Sequence, residues 1–215
     1  MAERVVGVDE AGRGPVLGSM FVAAVLADPE SLPTGIDDSK RLQPARRQAL
    51  SERLESAQST EIGLVEVTPD QIDDPETDMN RLTVDGHANA VASVQYEPHS
   101  IVLDACDTSE TRFADRVETK LDGATDLWAE HGADETHDVV GAASIVAKVA
   151  RDAQIERFER EYGEIGSGYP SDQTTRTFLS DYVADTGELP PFARASWQTS
   201  RDALAGAEQS GLAEF

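Results

Sequence analysis

Apolar positions in this chain fall into short runs, and the runs end at acids. The first, Val5-Val6-Gly7-Val8, stops at two adjacent carboxylates, Asp9 and Glu10. A Gly12-Arg13-Gly14 turn follows, and then a second apolar run over residues 16–27. Continuous apolar runs of this length read as buried strands, and two in succession predict a hairpin. Residues 28–37, with Pro29, Pro33 and Gly35, predict a loop, and Pro44 opens a helix through residue 57. Residues 61–68 alternate as a strand does, with Ile62, Leu64 and Val67 apolar, before an acidic, turn-rich stretch over 69–78. Helical spacing returns over 79–95 through Leu82, Ala88, Val91 and Val94, weakened by Gly86. Residues 100–104 repeat the opening pattern, an apolar run ending in Asp104. A helix over 109–121 follows, with Asp107 expected near its N-cap, then a strand over 125–131 and a long helix over 139–161. A glycine-rich connection over 162–172, a helix over 171–186, a closing segment over 190–197 and a marginally helical tail over 201–215 complete the chain. This order predicts an α/β protein whose mixed sheet begins with a hairpin and continues with strands alternating with helices.

The 215 residues suffice for one sizeable domain with an appendage. The run over 16–27 is too short for a bilayer span, which takes about 20 residues. Asp9 and Glu10 precede it where a signal peptide would carry positive charge. The single cysteine, Cys106, cannot form an internal disulfide, so a cytoplasmic protein is expected. Charge changes the picture more. Asp and Glu number 41 against 18 Lys and Arg, a formal net charge of −23. Disorder is one reading, but the acids are scattered among well-patterned apolar segments. An acidic surface living in concentrated salt accounts for them better than a basic partner does, because at 1 M the Debye length is only about 3 Å. The charge is therefore read as a halophilic habitat rather than as function. A nucleic-acid ligand would then need metal bridges, hydrogen bonds and a locally basic groove. Lys40, Arg41, Arg46 and Arg47 form the densest basic cluster, and Lys40 is one of only three lysines. Lys40 is a candidate phosphate contact; the alternative is a solvated helix face with Arg46 and Arg47 paired to acids such as Glu52.

Chemistry concentrates at the run ends. An ionised carboxylate out of water is expensive, and a divalent cation is the commonest compensation for a pair of them. In open α/β sheets ligands collect beyond the carboxyl ends of strands, which makes Asp104 a natural third member of a cluster with Asp9 and Glu10. Asp134, at the entrance to the long helix, makes a fourth. All-oxygen donors suit Mg²⁺ or Mn²⁺, and two such ions serve an in-line phosphoryl displacement. Successive strand residues face opposite ways, so Asp9 and Glu10 share a site only if the strand ends there, at Ala11-Gly12. Gly141, Ser144, Lys148 and Arg151 lie three or four apart on one helix stripe and suit a phosphodiester backbone; the alternative is an ordinary polar face. Tyr169, held in the glycine-rich loop, is a candidate to stack on a sugar or base. His87 has no visible partner and reads as structural or exposed, and Cys106 reads as a small core residue rather than a nucleophile. His131 and His137 flank Asp134 but offer zinc too few nitrogen or sulfur ligands. No phosphate-loop, dinucleotide, G-x-S-x-G, H-E-x-x-H or C-x-x-C motif is present.

Asp9-Glu10-Ala11-Gly12-Arg13-Gly14-Pro15 resembles the opening signature of type 2 ribonuclease H, ribonuclease HII, in its archaeal form. The resemblance continues through Asp38-Ser39-Lys40-Arg41-Leu42, Asp104, the stretch Ala142-Ala143-Ser144-Ile145-Val146-Ala147-Lys148-Val149 with Arg151-Asp152, and Gly166-Ser167-Gly168-Tyr169-Pro170-Ser171-Asp172. It implies a ribonuclease H-like catalytic domain over 1–161, a helical substrate-binding extension over 162–200 and a tail over 201–215. It further implies a monomer that hydrolyses RNA paired with DNA and incises 5′ of single ribonucleotides in duplex DNA, leaving a 3′-hydroxyl and a 5′-phosphate. Asp9, Glu10, Asp104 and Asp134 match the family's metal-binding carboxylates. Gly12, Arg13 and Gly14 match the loop whose backbone senses the ribose 2′-hydroxyl. Tyr169 matches the tyrosine that stacks at the RNA–DNA junction. Gly141 departs from the serine usual in the family, and Glu135 directly follows Asp134. At the end of the chain, Gln209, Leu212 and Phe215 resemble a sliding-clamp-binding peptide, without its second aromatic. The rival readings are another nuclease or resolvase of the same superfamily fold and a non-catalytic nucleic-acid or clamp-binding module.

Overall fold

The apolar run ending at Ala27 becomes strand β2 (Met20–Ala27), in which every residue is buried. Both faces of the sheet are covered, so the strand has no polar face to alternate with. In the computed structural model, which describes residues 4–36, 42–95, 100–121 and 126–213, β2 pairs antiparallel with β1 (Val5–Ala11) and with β3 (Glu61–Val67). Strand β1 pairs parallel with β4 (Ser100–Asp104), and β4 with β5 (Asp126–Glu130). The mixed sheet has the order β3-β2-β1-β4-β5.

A short helix, α2 (Pro69–Ile72), opens on a capping box between Thr68 and Gln71 and fills the turn-rich stretch. On one face of the sheet, Val84 and Val91 of α3 (Met79–Ala92) and Phe113 and Val117 of α4 (Glu110–Glu118) cover Val6, Val8 and Leu103. On the other face lies the long helix α5 (Asp138–Tyr162), with Val139, Ala143 and Val146 against Ala23, Val25 and Val102. Leu50 and Leu54 of α1 (Pro44–Ser56) pack behind it. Burying each such valine, leucine or phenylalanine side chain is worth about 1.5–3 kcal/mol. Gly7 sets the approach of α5: a Cβ there would stand 2.3 Å from the Val139 carbonyl carbon. That contact brings the first turns of α5 against the end of β1. A third apolar cluster joins Val16 and Leu17 to Ile165, Phe192 and Leu179 of α6 (Gln173–Thr186), with α7 (Gln198–Ala213) closing the chain. Phe158 stacks on Phe192 with ring centroids 4.0 Å apart. Among the described residues no helix is long and apolar enough to cross a membrane.

Three expectations change. The run over 16–27 is not one strand: Val16 and Leu17 leave the sheet for the C-terminal cluster, and Leu17 forms an isolated bridge with Ala193. Asp107 does not cap α4. Ser109 does, because an N-cap oxygen must reach the amide three residues on, here that of Arg112. Asp107 instead pairs with Arg112 and Arg116, and hydrogen bonding from Arg112 holds its carboxyl down at about 2. Arg47 pairs not with Glu52 but with Asp152 of α5, at 2.6 Å, while Gln48 takes Glu52. Lys40 and Phe215, and the side chains of Gln209 and Leu212, lie outside the described residues.

Candidate active site

Asp9 is placed by register. Val8 pairs with Leu103, so the next residues along β1 and β4 are Asp9 and Asp104. The parallel pairing stops there, with the two carboxylates near enough for the Asp104 charge to act on Asp9. Asp9 is buried, and its carboxyl is raised well above the usual carboxylate range, first by burial and then by the charges of Glu10 and Asp104. The Ser144 hydroxyl and the Lys148 charge oppose that shift only in part. Lys148 in turn donates to Ser144 Oγ, so one turn of α5 delivers a hydroxyl and a cation to the Asp9 side of the strand. Asp104 Oδ1 accepts from the Ala133 amide at 2.9 Å. This bond ties the end of β4 to the turn Ala133–Glu135, where Asp134 is buried.

Strand β1 ends at Ala11, as the sequence predicts, but both acids still lie within it, with Asp9 opposite Ala23 and Glu10 opposite Val22. Glu10 therefore points to the other face, where its Oε2 lies 3.0 Å from Nε2 of His87. The two acids stay in contact because the Glu10 amide donates to Asp9 Oδ1 at 2.7 Å. His87 takes the structural one of its two readings, fully buried on α3 with its ring edge-on to Phe113 at 5.0 Å, and it has the partner that the sequence did not show. Nothing in the sequence could pair residues 77 positions apart.

The turn after β1 has Gly12 at φ 88, a left-handed conformation, and a Cβ there would stand 2.6 Å from the Ser19 carbonyl oxygen. Arg13 does not reach outward. Its guanidinium donates to the Cys106 carbonyl at 2.8 Å and to Asn80. Tyr169 stands beside Gly14, whose Cβ would meet the ring at 3.4 Å. Gly168 accepts from the amides of Val16 and Leu17, and Arg151 lies 5.1 Å from the centre of the Tyr169 ring. The two glycine loops thus form one wall, with the ring partly exposed on it.

The helix stripe is less open than its spacing implied. Gly141 and Ser144 are buried, and Arg151 is spent on the Ser167 carbonyl at 2.7 Å. Lys148 alone of the four is half-exposed. A Cβ at Gly141 would meet Ile36 Cγ2 at 2.9 Å, which gives a packing reason for glycine where serine is usual. The Cys106 thiol is pushed up by burial and by Glu10, as suits an inert packed residue. His131 and His137 are engaged elsewhere, by the Ala105 carbonyl and by Glu130.

Among the described residues, no three His, Cys, Asp or Glu side chains already converge as a finished metal cage. The donor set nevertheless fits a hard divalent cation: all the candidate ligands are carboxylate oxygens, and Asp9 is buried beside the charges of Glu10 and Asp104, which raise its carboxyl and which a cation would offset. Arg194, which the sequence reading missed, is fully buried and donates to the carbonyls of Gly12, Arg13 and Gly18. No periodicity or motif marks it, since its partners lie more than 170 residues away.

The sequence matches the family model described as Ribonuclease HII over residues 6–200. It is 55% identical to the ribonuclease HII of Haloarcula marismortui over 210 residues, 97% of this chain and 99% of the relative. The crystal structure of ribonuclease H2 from Pyrococcus horikoshii superposes with a TM-score of 0.90 at 36% identity, covering 96% of this chain and 99% of that one. The ribonuclease HII in the PCNA:RNase HII complex from Archaeoglobus fulgidus superposes with a TM-score of 0.83 at 32% identity, covering 93% and 96%. The mixed five-stranded sheet with its flanking helices is the ribonuclease H-like fold of these neighbours.

Proposed function

The chain belongs to the ribonuclease HII family, and from that premise we propose that this ribonuclease H, whose family cleaves RNA in RNA–DNA hybrids, also incises 5′ of single ribonucleotides in duplex DNA, by two-metal-ion catalysis. The observation that carries the proposal is that Asp9 and Asp104 stand at the ends of the paired strands β1 and β4, with Glu10 next in the chain and the charges of Glu10 and Asp104 both felt at Asp9, while the turn that follows carries the wall of Gly12, Gly14 and Tyr169. Asp9, Glu10, Asp104 and Asp134 would hold Mn²⁺ or Mg²⁺. When bound, such ions supply the positive charge that activates a water and stabilises the leaving oxygen. The water oxygen joins phosphorus and the P–O3′ bond breaks, leaving a 3′-hydroxyl upstream and a 5′-phosphate on the ribonucleotide.

The protein's own groups prepare that displacement. Ser144 and Lys148 offset the Asp9 charge from the α5 side. His87 orients Glu10 from the α3 side. Outward amides of the Gly12-Arg13-Gly14 turn would meet the 2′-hydroxyl, and the Tyr169 ring would stack on the sugar or base beside it. Lys40 would contact phosphate. The tail residues Gln209, Leu212 and Phe215 would engage a sliding clamp, a reading supported by the clamp complex of the Archaeoglobus relative. The net charge of −23, together with the similarity to the Haloarcula protein, supports a monomer working in a salt-rich cytoplasm. The deciding experiment offers duplex DNA containing one ribonucleotide, with Mg²⁺ or Mn²⁺ in concentrated KCl. A metal-dependent cut 5′ of the ribonucleotide is expected; its absence sinks the proposal.

A further inference from the structure

Arg194 is a fully buried guanidinium whose hydrogen-bond acceptors are all neutral. Its Nε donates to the Gly18 carbonyl at 2.9 Å, one Nη to the Arg13 carbonyl at 2.9 Å, and the other Nη to the Gly12 carbonyl. Its fourth neighbour is the Trp197 ring, 5.1 Å from the guanidinium carbon. The backbone around it is zipped to the same loop, with Arg194 N–H on the Val16 carbonyl at 2.9 Å and Gly18 N–H on the Phe192 carbonyl at 2.8 Å. The Asp73 charge acts on Arg194 without a hydrogen bond to it, and a buried charge that no carboxylate hydrogen-bonds is costly as a mere tie between segments. Carbonyls pulled by a cation are a different matter, because the polarisation passes through the peptide group.

In a trans peptide the C=O and N–H point in opposite directions. The Gly12 carbonyl shares its peptide with the Arg13 amide, and the Arg13 carbonyl shares its peptide with the Gly14 amide. Pinning both carbonyls inward on Arg194 therefore aims two consecutive amides away from it. Hydrogen bonds in a chain polarise one another, so a cation on each oxygen makes each N–H a stronger donor. Among the described residues neither amide has an acceptor in the protein. They lie beside the Tyr169 ring, which stands against Gly14. Two adjacent donors of this kind form a small concave acceptor site.

We propose that Arg194 is the positioning residue for sugar discrimination: by gripping the Gly12 and Arg13 carbonyls it orients and polarises the Arg13 and Gly14 amides toward a ribose 2′-oxygen. The proposal rests on the reading of that loop as the sugar sensor. It assigns part of the enzyme's specificity to the C-terminal segment, some 180 residues from the loop in sequence.

The test uses Arg194→Lys and Arg194→Gln in the full chain, in concentrated KCl with Ca²⁺ in place of Mg²⁺ to suppress cleavage. Affinity is measured for two duplexes of one sequence, one carrying a single ribonucleotide and one wholly deoxyribose. Lysine keeps the charge but cannot span three carbonyls, and glutamine keeps one donor group without charge. The preference for the ribonucleotide duplex should fall in the order wild type, lysine, glutamine, by about tenfold at the glutamine variant, or about 1.4 kcal/mol. Affinity for the all-deoxyribose duplex should stay unchanged. Folded variants that keep the wild-type preference overturn the proposal. Failure of both to fold also overturns it, since Arg194 would then serve the core. A wild-type protein with no preference would instead sink the underlying reading of the loop.

Discussion

Asp9 shows how much one side chain's surroundings decide. Burial first, and then Glu10 and Asp104, raise its carboxyl above the ordinary value of 3.8, so the metal-free folded chain binds that proton more tightly than the unfolded chain does. Its stabilising contribution is complete below the unfolded value and is lost as pH rises through the raised folded one. Asp9→Asn removes the ionisation. The variant should melt at higher temperature than the wild type at neutral pH in a chelator, while cleavage is abolished. Full activity in the folded variant would place Asp9 outside the reacting site. At this scale Asp9, Glu10 and Asp104 were legible because acids at the ends of apolar runs are costly without a partner. His87 and Arg194 were not, because each acts through a contact distant in sequence.

Elements position these residues through close approach. Gly7 looks like an ordinary strand residue in the sequence, yet a Cβ there would collide with the backbone at Val139 and Val140. Backbone cannot rotate aside as a side chain can. Gly7→Ala should therefore cost about 3 kcal/mol, the upper part of the overpacking range, read as a lower denaturant midpoint in KCl. It should also lower kcat, since Ser144 and Lys148 ride on the displaced helix. A midpoint and kcat equal to wild type would refute the tight β1–α5 contact. The periodicity of α5 was plain in the sequence, but which of its faces met water was not. Helical spacing groups residues on a stripe; only packing against the sheet and the glycine loop buried Ser144 and engaged Arg151.

Across the whole molecule, the proposed salt-rich habitat makes a prediction, because a net charge of −23 repels itself unless salt screens it. Dilution from concentrated KCl to about 0.01 M lengthens the Debye length to about 30 Å and lets distant acids repel. Far-UV circular dichroism should then lose helix and sheet signal, and an unchanged spectrum would count against a salt-dependent fold. The tail is a separate matter, because its proposed partner is another protein. Removing residues 209–215 should weaken binding to a sliding clamp while hydrolysis continues at the full rate. Equal clamp affinity with and without those residues would end that reading.

Order of elements, sheet class, the placing of three acids at the ends of apolar runs and the two glycine loops were all determined by local pattern. Hydrophobic runs, glycine turns and adjacent carboxylates impose their costs within a few residues of chain. What only tertiary structure decided is who faces whom. Continuation of β1 to Ala11 sent Asp9 toward Ser144 and Glu10 toward His87. Departure of Val16 and Leu17 from the sheet joined the first loop to the C-terminal segment and seated Arg194 beneath it. Such contacts form only when distant segments exclude water from a shared interior, and the geometry of that interior is written in no single stretch.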